Sequence, residues 1–108
     1  MIGRLHHAHE FERLHREGTR VRSGVLWCVM LPDPSYPVPS IAFAIGRSAG
    51  SAVVRNRIRR QVRALMRTHI GRFAPGLYLF GLGRGLDSTP TFGQLSAAVV
   101  GIAARVAQ

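Results

Sequence analysis

The sequence predicts an α+β domain in which helical stretches alternate along the chain with short apolar strands. Apolar residues recur at helical spacing in three segments, and three other segments are apolar runs of strand length bounded by glycine or proline. The chain has 108 residues, and 46% of them are hydrophobic, which suits one domain with a real core. We therefore expect a single domain over residues 1–108, without an internal repeat or a linker.

The N-terminal third predicts a helix followed by strand structure. Residues 9–18 place Phe11 and Leu14 on one side of a short helix, which a glycine ends. The apolar run of residues 21–31 predicts a strand, which Gly24 can interrupt.

A stiff loop and a second strand precede a long helix. Residues 32–40 contain four prolines, so this segment is expected to be an extended loop and not a helix. Residues 41–46 predict a short buried strand. In the turn that follows, Ser51 is a candidate N-cap for the helix.

The C-terminal third predicts one more strand and an amphipathic helix. Residues 76–83 form an apolar run of strand length, and a polar loop follows it. The residues that recur at helical spacing after this loop are Phe92, Leu95, Val99, Ile102 and Val106.

The charge of the chain is concentrated in its middle. All fifteen basic residues are arginine, and five acids leave a formal net charge of +10. Residues 34–86 hold nine of these arginines and no acid, and residues 52–70 alone hold six. Such a distribution predicts that the middle of the chain meets a polyanion.

A helical wheel divides the long helix into an apolar face and a basic stripe. The residues of the apolar face are Val54, Ile58, Val62, Leu65 and Met66. The residues of the adjoining stripe are Asn56, Arg59, Arg60, Arg63 and Arg67. Arg55 and Arg57 lie about 160° apart, so either the ligand surrounds the start of the helix or one of the two turns inward.

Nucleic acid is the partner that this helix favours. Phosphates neutralise a stripe of arginines, and the released counterions supply affinity. Basic helices that bind membranes present bulky aromatic or leucine residues to lipid, whereas this apolar face is typical of a helix docked within a domain. The other interpretations are an acidic protein groove and a merely solvated face, although solvated faces usually include glutamate.

The sequence contains no convincing catalytic or metal-binding group. Hydrolysis of RNA by a protein needs a paired acid and base or a carboxylate cage for Mg²⁺, and the five acids are scattered. His6, His7 and His9 could hold a metal, but a basic N-terminal arm is the simpler interpretation. Cys28 is alone in an apolar run and is expected to be a core residue. Without a signal-peptide pattern or a membrane-spanning run, we expect a cytoplasmic protein.

The segment "AVVRNRIRRQVRALMR" resembles the Arg-Asn-Arg signature of the protein component of bacterial ribonuclease P. The surrounding order is also similar to that family. An opening "RL", an acidic–Phe pair and an "EG" occur in "GRLHHAHEFERLHREG", a strand and a basic turn lead into the signature, and "LFGLGR" precedes the final helix. The resemblance implies a two-layer α-β-β-β-α-β-α fold, in which the signature helix lies on a left-handed β-α-β crossover.

The resemblance also implies a function and two RNA partners. The chain would be a subunit of an endoribonuclease holoenzyme whose RNA subunit is the catalyst and requires Mg²⁺, while the protein itself binds no cofactor tightly. It would bind this RNA subunit and precursor tRNA, with no membrane and no obligate protein partner. The residues implied in RNA-subunit binding are Arg47, Arg55, Asn56, Arg57, Arg59, Arg60, Arg63 and Arg67.

A cleft for the 5′ leader of precursor tRNA is implied between the first helix and the sheet, where aromatic side chains stack on unpaired bases. Phe11 matches the first aromatic of this cleft, and Arg84 matches the arginine that closes the last strand. His15 stands where a second Phe is usual, and Val29 stands where a strand Tyr is usual. Trp27 shares a strand face with Val29 and can compensate for it. Core packing is the alternative interpretation of the two aromatics.

Two other functions remain open at this point. A basic protein of another ribonucleoprotein, such as a ribosomal protein, would share the charge and the fold without stimulating cleavage of precursor tRNA. An autonomous protein nuclease would cleave RNA without an RNA subunit.

Overall fold

The computed structural model describes residues 2–5, 7–84, 86 and 88–106. Within these residues, five strands form one mixed sheet in the order β1-β4-β5-β3-β2. The strands are β1 (Gly3–Arg4), β2 (Thr19–Ser23), β3 (Leu26–Pro32), β4 (Pro39–Ala44) and β5 (Gly76–Leu82). β5 lies at the centre of the sheet, parallel to β4 and antiparallel to β3, while β1 pairs parallel to β4.

Three α-helices pack on this sheet. They are α1 (Ala8–Glu17), α2 (Ala52–Thr68) and α3 (Phe92–Val106), and short 3₁₀ turns occur at Arg47–Ala49 and Ile70–Arg72. α2 connects the parallel strands β4 and β5 as a crossover. The α-β-β-β-α-β-α order is confirmed, and β1 is added in front of it.

The main core lies between one face of the sheet and the α2–α3 pair. On β3, Leu26, Cys28 and Met30 point into this core, and the alternate residues point to the opposite face. Burial raises the pKa of the Cys28 thiol, so this residue is the inert core cysteine that was expected. A second, smaller cluster joins Leu14 of α1 to the opposite face of the sheet.

Two local signals in the sequence act as predicted. Gly24 has a φ of +54° in the turn between β2 and β3, a backbone conformation that a side chain would strain, so the apolar run is divided there into a hairpin. Ser51 caps α2, because its Oγ accepts a hydrogen bond of 3.3 Å from the backbone N–H of Val54.

Three features differ from the sequence expectations. Pro39 and Ser40 belong to β4 and not to the preceding loop, since a proline is tolerated as the first residue of a strand. Phe92 is 50% exposed, although its spacing places it on the apolar face of α3. Periodicity assigns a residue to a helix face, but it does not show where along the helix the contact with the sheet begins. β1 was not predicted, since two residues are too short to show a pattern.

Candidate nucleic-acid interface

α2 is docked on the core by the apolar face that the wheel assigned to it. Ile58, Val62, Leu65 and Met66 are all buried, and Val54 is half-buried. The basic stripe therefore lies at the surface, beside the outer part of the sheet.

Arg59 is held in place by two hydrogen bonds. Its Nη1 donates to Oδ1 of Asn56 over 2.9 Å, and its Nη2 donates to the carbonyl oxygen of Ile45 over 3.3 Å. Ile45 directly follows β4, so Arg59 connects α2 to the end of that strand. Asn56 thus orients an arginine and is itself exposed.

Arg63 lies over an aromatic ring of β4. Its guanidinium carbon is 5.1 Å from the centroid of the Phe43 ring, a cation–π geometry. Partial burial lowers the pKa of Arg63, and the neighbouring charges of Arg4, Arg67 and Arg59 lower it further. These four arginines therefore form a cluster of mutually repelling cations that spans α2 and the β1 edge.

Arg4 is a member of this cluster that sequence reasoning missed. It reaches the stripe because β1 pairs with β4, beside which Arg63 lies. In the sequence, Arg4 is marked only by the opening "RL" that belongs to the family resemblance.

Arg59 and Arg63 lie at the surface with the rest of the basic stripe, but they are less exposed than the helical wheel alone indicates. Both are half-buried, whereas Arg57, Arg60 and Arg67 are exposed. The physical reason is that a wheel gives only the direction in which a side chain leaves the helix. A long arginine can fold its stem back over neighbouring apolar and carbonyl groups.

Arg55, rather than Arg57, is the arginine that turns inward. Arg55 is half-buried and Arg57 is exposed. Among the described residues, Nε of Arg55 and Nε of Arg63 are buried donors without a hydrogen-bond acceptor. A buried donor without an acceptor is costly, and phosphate oxygens suit an arginine guanidinium well.

The opposite face of the sheet, which carries Trp27 and Val29, is only partly covered by α1, and we refer to it as the half-open face. α1 crosses β3 and β5, and Leu14 packs there against Leu77. Arg13, on one flank of α1, donates to Oδ2 of Asp33 over 3.0 Å, and Asp33 lies just beyond the end of β3. Phe11 and His15 lie on the other flank of α1.

Two carboxylates fix the position of α1. Glu10 is buried and accepts a hydrogen bond from the Tyr36 hydroxyl, which raises the pKa of Tyr36 to about 12. Hydrogen bonds from the Ser35 side chain and backbone, then from Arg13, lower the pKa of Asp33 to about 2. The helix that walls the half-open face is thus anchored to the proline-rich loop.

The residues predicted for a cleft come from α1 and from the alternate face of β3. Phe11 is 37% exposed, and the small recess that it lines with His15 is formed by α1 residues alone. Trp27 and Val29 are half-buried on the alternate face of β3. The guanidinium carbon of Arg20 lies 4.6 Å from the centroid of the Trp27 ring.

Arg84 borders a different recess. A groove of about 510 Å³ lies at the carboxyl ends of β4 and β5, and Arg84 lines it together with Gly46, Ser48 and Pro90. Arg47 belongs to the exposed turn beside this groove. The structure thus brings Phe11 and His15 together but places Arg84 apart from them.

The described residues contain no group of three metal-ligating side chains. His7 and His9 stack with ring centroids 5.4 Å apart, while His6 of the predicted cluster lies outside the described residues. Within the same part of the chain, no helix combines the length and the apolar character needed to cross a membrane.

Comparison with solved structures supports the fold. The RNase P protein of Staphylococcus aureus is similar over 97% of both chains, with a TM-score of 0.80 and 18% identity. The RNase P protein from Thermotoga maritima also gives a TM-score of 0.80 at 18% identity, covering 95% of this chain and 96% of that one.

Relatives found by sequence are also protein components of ribonuclease P. The ribonuclease P protein component of a Picosynechococcus species is 35% identical over 77 residues, or 70% of this chain and 66% of the relative. The ribonuclease P protein component of Acidothermus cellulolyticus is 38% identical over 64 residues, or 58% and 53% of the two chains. The chain thus matches between about half and two thirds of the length of these curated relatives.

A family model described as Ribonuclease P matches residues 3–106. This match includes α2 with its arginines, the half-open face of the sheet and α1. The chain belongs to the ribonuclease P protein family.

Proposed function

We propose that this chain is the protein subunit of a ribonuclease P, and that it assists endonucleolytic removal of the 5′ leader from precursor tRNA. The observation that carries the proposal is the cation cluster formed by Arg4 of β1 with Arg59, Arg63 and Arg67 of α2, a helix whose opposite face is buried. Membership of the family supports the same role.

The RNA subunit binds the α2 surface in this proposal. Nε of Arg55 and Nε of Arg63 have no acceptor among the described residues, and burial and the neighbouring arginine charges lower the pKa of Arg63. Phosphates would relieve the repulsion among them, and the release of counterions from RNA would supply affinity. The added positive charge would also screen the RNA subunit from the precursor tRNA that it must bind.

The leader of the precursor binds the half-open face of the sheet. α1 forms one wall with the exposed ring of Phe11, and β3 supplies the floor through Val29 and through Trp27, over whose ring Arg20 lies. Stacking on side chains of this kind tolerates any base sequence, which suits leaders that differ from one tRNA to another.

Catalysis belongs to the RNA subunit and its Mg²⁺ ions in this proposal. Two of the five acids, Glu10 and Asp33, are engaged in holding α1, so they do not form an acid–base pair. The protein would act in the cytoplasm, with tRNA precursors as substrates. Another ribonucleoprotein, such as the ribosome, is not favoured by the family match.

One assay tests this function directly. Precursor tRNA is incubated at low Mg²⁺ with the protein, with a bacterial ribonuclease P RNA, and with both. Cleavage at the mature 5′ end is expected only when both are present. Cleavage by the protein alone, after rigorous removal of contaminating nucleases, would refute the proposal, as would a failure of the protein to lower the Mg²⁺ requirement of the RNA.

A further inference from the structure

Trp27 lies across the backbone of the central strand at a position where only glycine fits. In the register of the sheet, Trp27 is opposite Gly81 of β5. A Cβ atom placed on Gly81 would lie 2.0 Å from Cζ2 of Trp27, far inside contact distance. The indole therefore rests directly on β5, and its position depends on the missing side chain at Gly81.

Arg20 covers the indole from the neighbouring strand. Arg20 is opposite Val29, so it is the diagonal neighbour of Trp27, a spacing that long side chains can bridge. Its guanidinium carbon lies over the ring at 4.6 Å from the centroid. Arg22 is directly opposite Trp27, but its guanidinium lies over Gly83 instead, where an added Cβ would be 2.7 Å from Nη2.

The Arg20 guanidinium is held by the ring and not by an acid. The ion pairs among the described residues join Arg13 to Glu17 and to Asp33, and neither involves Arg20. Arg20 itself is exposed. A planar cation held over an aromatic ring, with its outer side toward solvent, can stack on a nucleobase as arginine planes do in single-stranded RNA recognition.

We propose that Arg20 is the stacking surface for one unpaired base of the leader, which completes a column of Gly81, Trp27, Arg20 and base. Trp27 is then a positioning residue that holds Arg20, and it does not contact RNA through the ring face that Arg20 covers. Identification of the RNA as the leader rests on the proposed function, whereas the column itself does not.

The test is an abasic scan of the leader. Precursor tRNAs are made in which each leader nucleotide in turn lacks its base, and their affinities are measured for holoenzymes that contain the wild-type protein, Arg20→Lys or Arg22→Lys. Both variants keep the charge, and only Arg20→Lys removes the plane that stacks. With the wild type and Arg22→Lys, loss of the base that stacks on Arg20 should cost about 5- to 150-fold in affinity. With Arg20→Lys, loss of the base at this position should cost nothing, while the effect of a base that stacks on Phe11 should remain.

Gly81→Ala provides a second variant that leaves every charge in place. The new methyl group would displace Trp27, which is the single tryptophan of the chain, so a shift in tryptophan emission reports the displacement. Loss of the abasic effect together with this shift would support the column. The inference is overturned if no leader position shows an abasic effect with the wild type, if every such effect survives in Arg20→Lys, or if every such effect survives in a Gly81→Ala protein whose tryptophan emission has shifted.

A parallel scan separates this inference from the proposed function. The isolated protein is titrated with a single-stranded RNA oligonucleotide that carries the same abasic substitutions. If the wild-type protein fails to support cleavage but Arg20→Lys still abolishes a base-specific effect here, the proposed function fails and the column stands. If cleavage is supported but both scans are insensitive to Arg20→Lys, the column fails and the proposed function stands.

Discussion

Arginine side chains on α2 lie in two different environments. Arg57, Arg60 and Arg67 extend into solvent, whereas Arg59 and Arg63 fold back against Ile45 and Phe43 near the end of β4. Side chains of the first kind can be removed without disturbing the fold. Side chains of the second kind contribute both to the fold and to the charge that RNA would meet.

Arg59→Ala and Arg60→Ala are therefore expected to differ in stability but not in salt dependence. For RNA-subunit binding, a plot of the logarithm of the association constant against the logarithm of the salt concentration should become less steep by about 0.9 in each variant, because each would remove one phosphate contact. Only Arg59→Ala should reduce the free energy of unfolding, by about 0.5–1.5 kcal/mol, through its lost hydrogen bonds. Filter binding at several salt concentrations and urea unfolding measure the two effects. Equal stability of both variants would contradict the bracing role of Arg59.

Ile58→Ala should show the converse behaviour. Ile58 is fully buried beneath α2, so its truncation leaves a cavity and should cost about 2–5 kcal/mol in the free energy of unfolding. Its effect on RNA affinity, measured where the variant is still folded, should be small. A stable Ile58→Ala protein would mean that the helix is rotated relative to the structure.

Phe11→Leu isolates the role of an exposed aromatic ring. Phe11 is 37% exposed and belongs to neither core cluster, and leucine retains most of its apolar volume, so the fold should be kept. Loss of a stacked base should weaken precursor tRNA binding about 5- to 150-fold while leaving mature tRNA, which has no leader, unaffected. Equal losses for both tRNAs in the holoenzyme would place the leader elsewhere.

At the scale of elements, α1 depends on the loop between β3 and β4. Asp33 accepts hydrogen bonds from Ser35 and from Arg13, and Glu10 accepts one from Tyr36. These contacts cross from the helix to a segment that its prolines make stiff. The wall of the half-open face is therefore positioned by polar contacts as well as by Leu14.

The lowered pKa of Asp33 makes part of the stability depend on pH. Because the folded state favours the charged carboxylate, this contribution is full above the ordinary aspartate pKa of about 4 and is lost as the pH falls toward about 2. Asp33→Asn should lower the urea midpoint near neutral pH and flatten its decline over that acidic range. Ser35→Ala should act in the same direction, since Ser35 is the largest cause of the shift. An unchanged pH profile in Asp33→Asn would show that the carboxylate is not stabilised by folding.

Sequence patterns predicted α2 far better than the surroundings of its side chains. Seventeen residues of strict helical periodicity determine which face is buried, so Ile58, Val62 and Met66 were assigned correctly. Arg4 and the Arg20–Trp27 pair were not predicted, because both depend on which strands are neighbours and in what register. A strand as short as β1 has no periodicity to detect, and the path of a long arginine side chain is set by tertiary contacts.

For the whole molecule, the dominant feature is a net charge of +10 concentrated near α2. Arg55, Arg59, Arg63 and Arg67 are spaced four apart, which makes three repelling pairs along one helix. Without RNA, this repulsion acts against the folded state. Salt should therefore stabilise the free protein, although it would weaken a complex of the protein with RNA.

Thermal unfolding at increasing NaCl tests this expectation. Three like-charge pairs are worth about 1 kcal/mol together, or about 4–8 °C in Tm for a domain of this size, and screening should recover part of that. Arg67→Gln should raise Tm at low salt and reduce the response to salt. A Tm that falls with added NaCl would mean that attractive ion pairs, not repulsion, dominate the free protein.

The central position of β5 has a consequence for synthesis on the ribosome. β5 comes last among the five strands that the structure describes, yet it alone joins the β2–β3 hairpin to the β1–β4 pair. Until residues 76–82 emerge, both halves of the sheet carry an open strand edge, and α2 is already complete with its apolar face uncovered. Long-range pairing of this kind is slow, and open edges invite association between nascent chains. A ribosome stalled before β5 would thus hold an aggregation-prone, highly cationic chain close to ribosomal RNA, and translation through this short strand is what allows the two halves of the sheet to join.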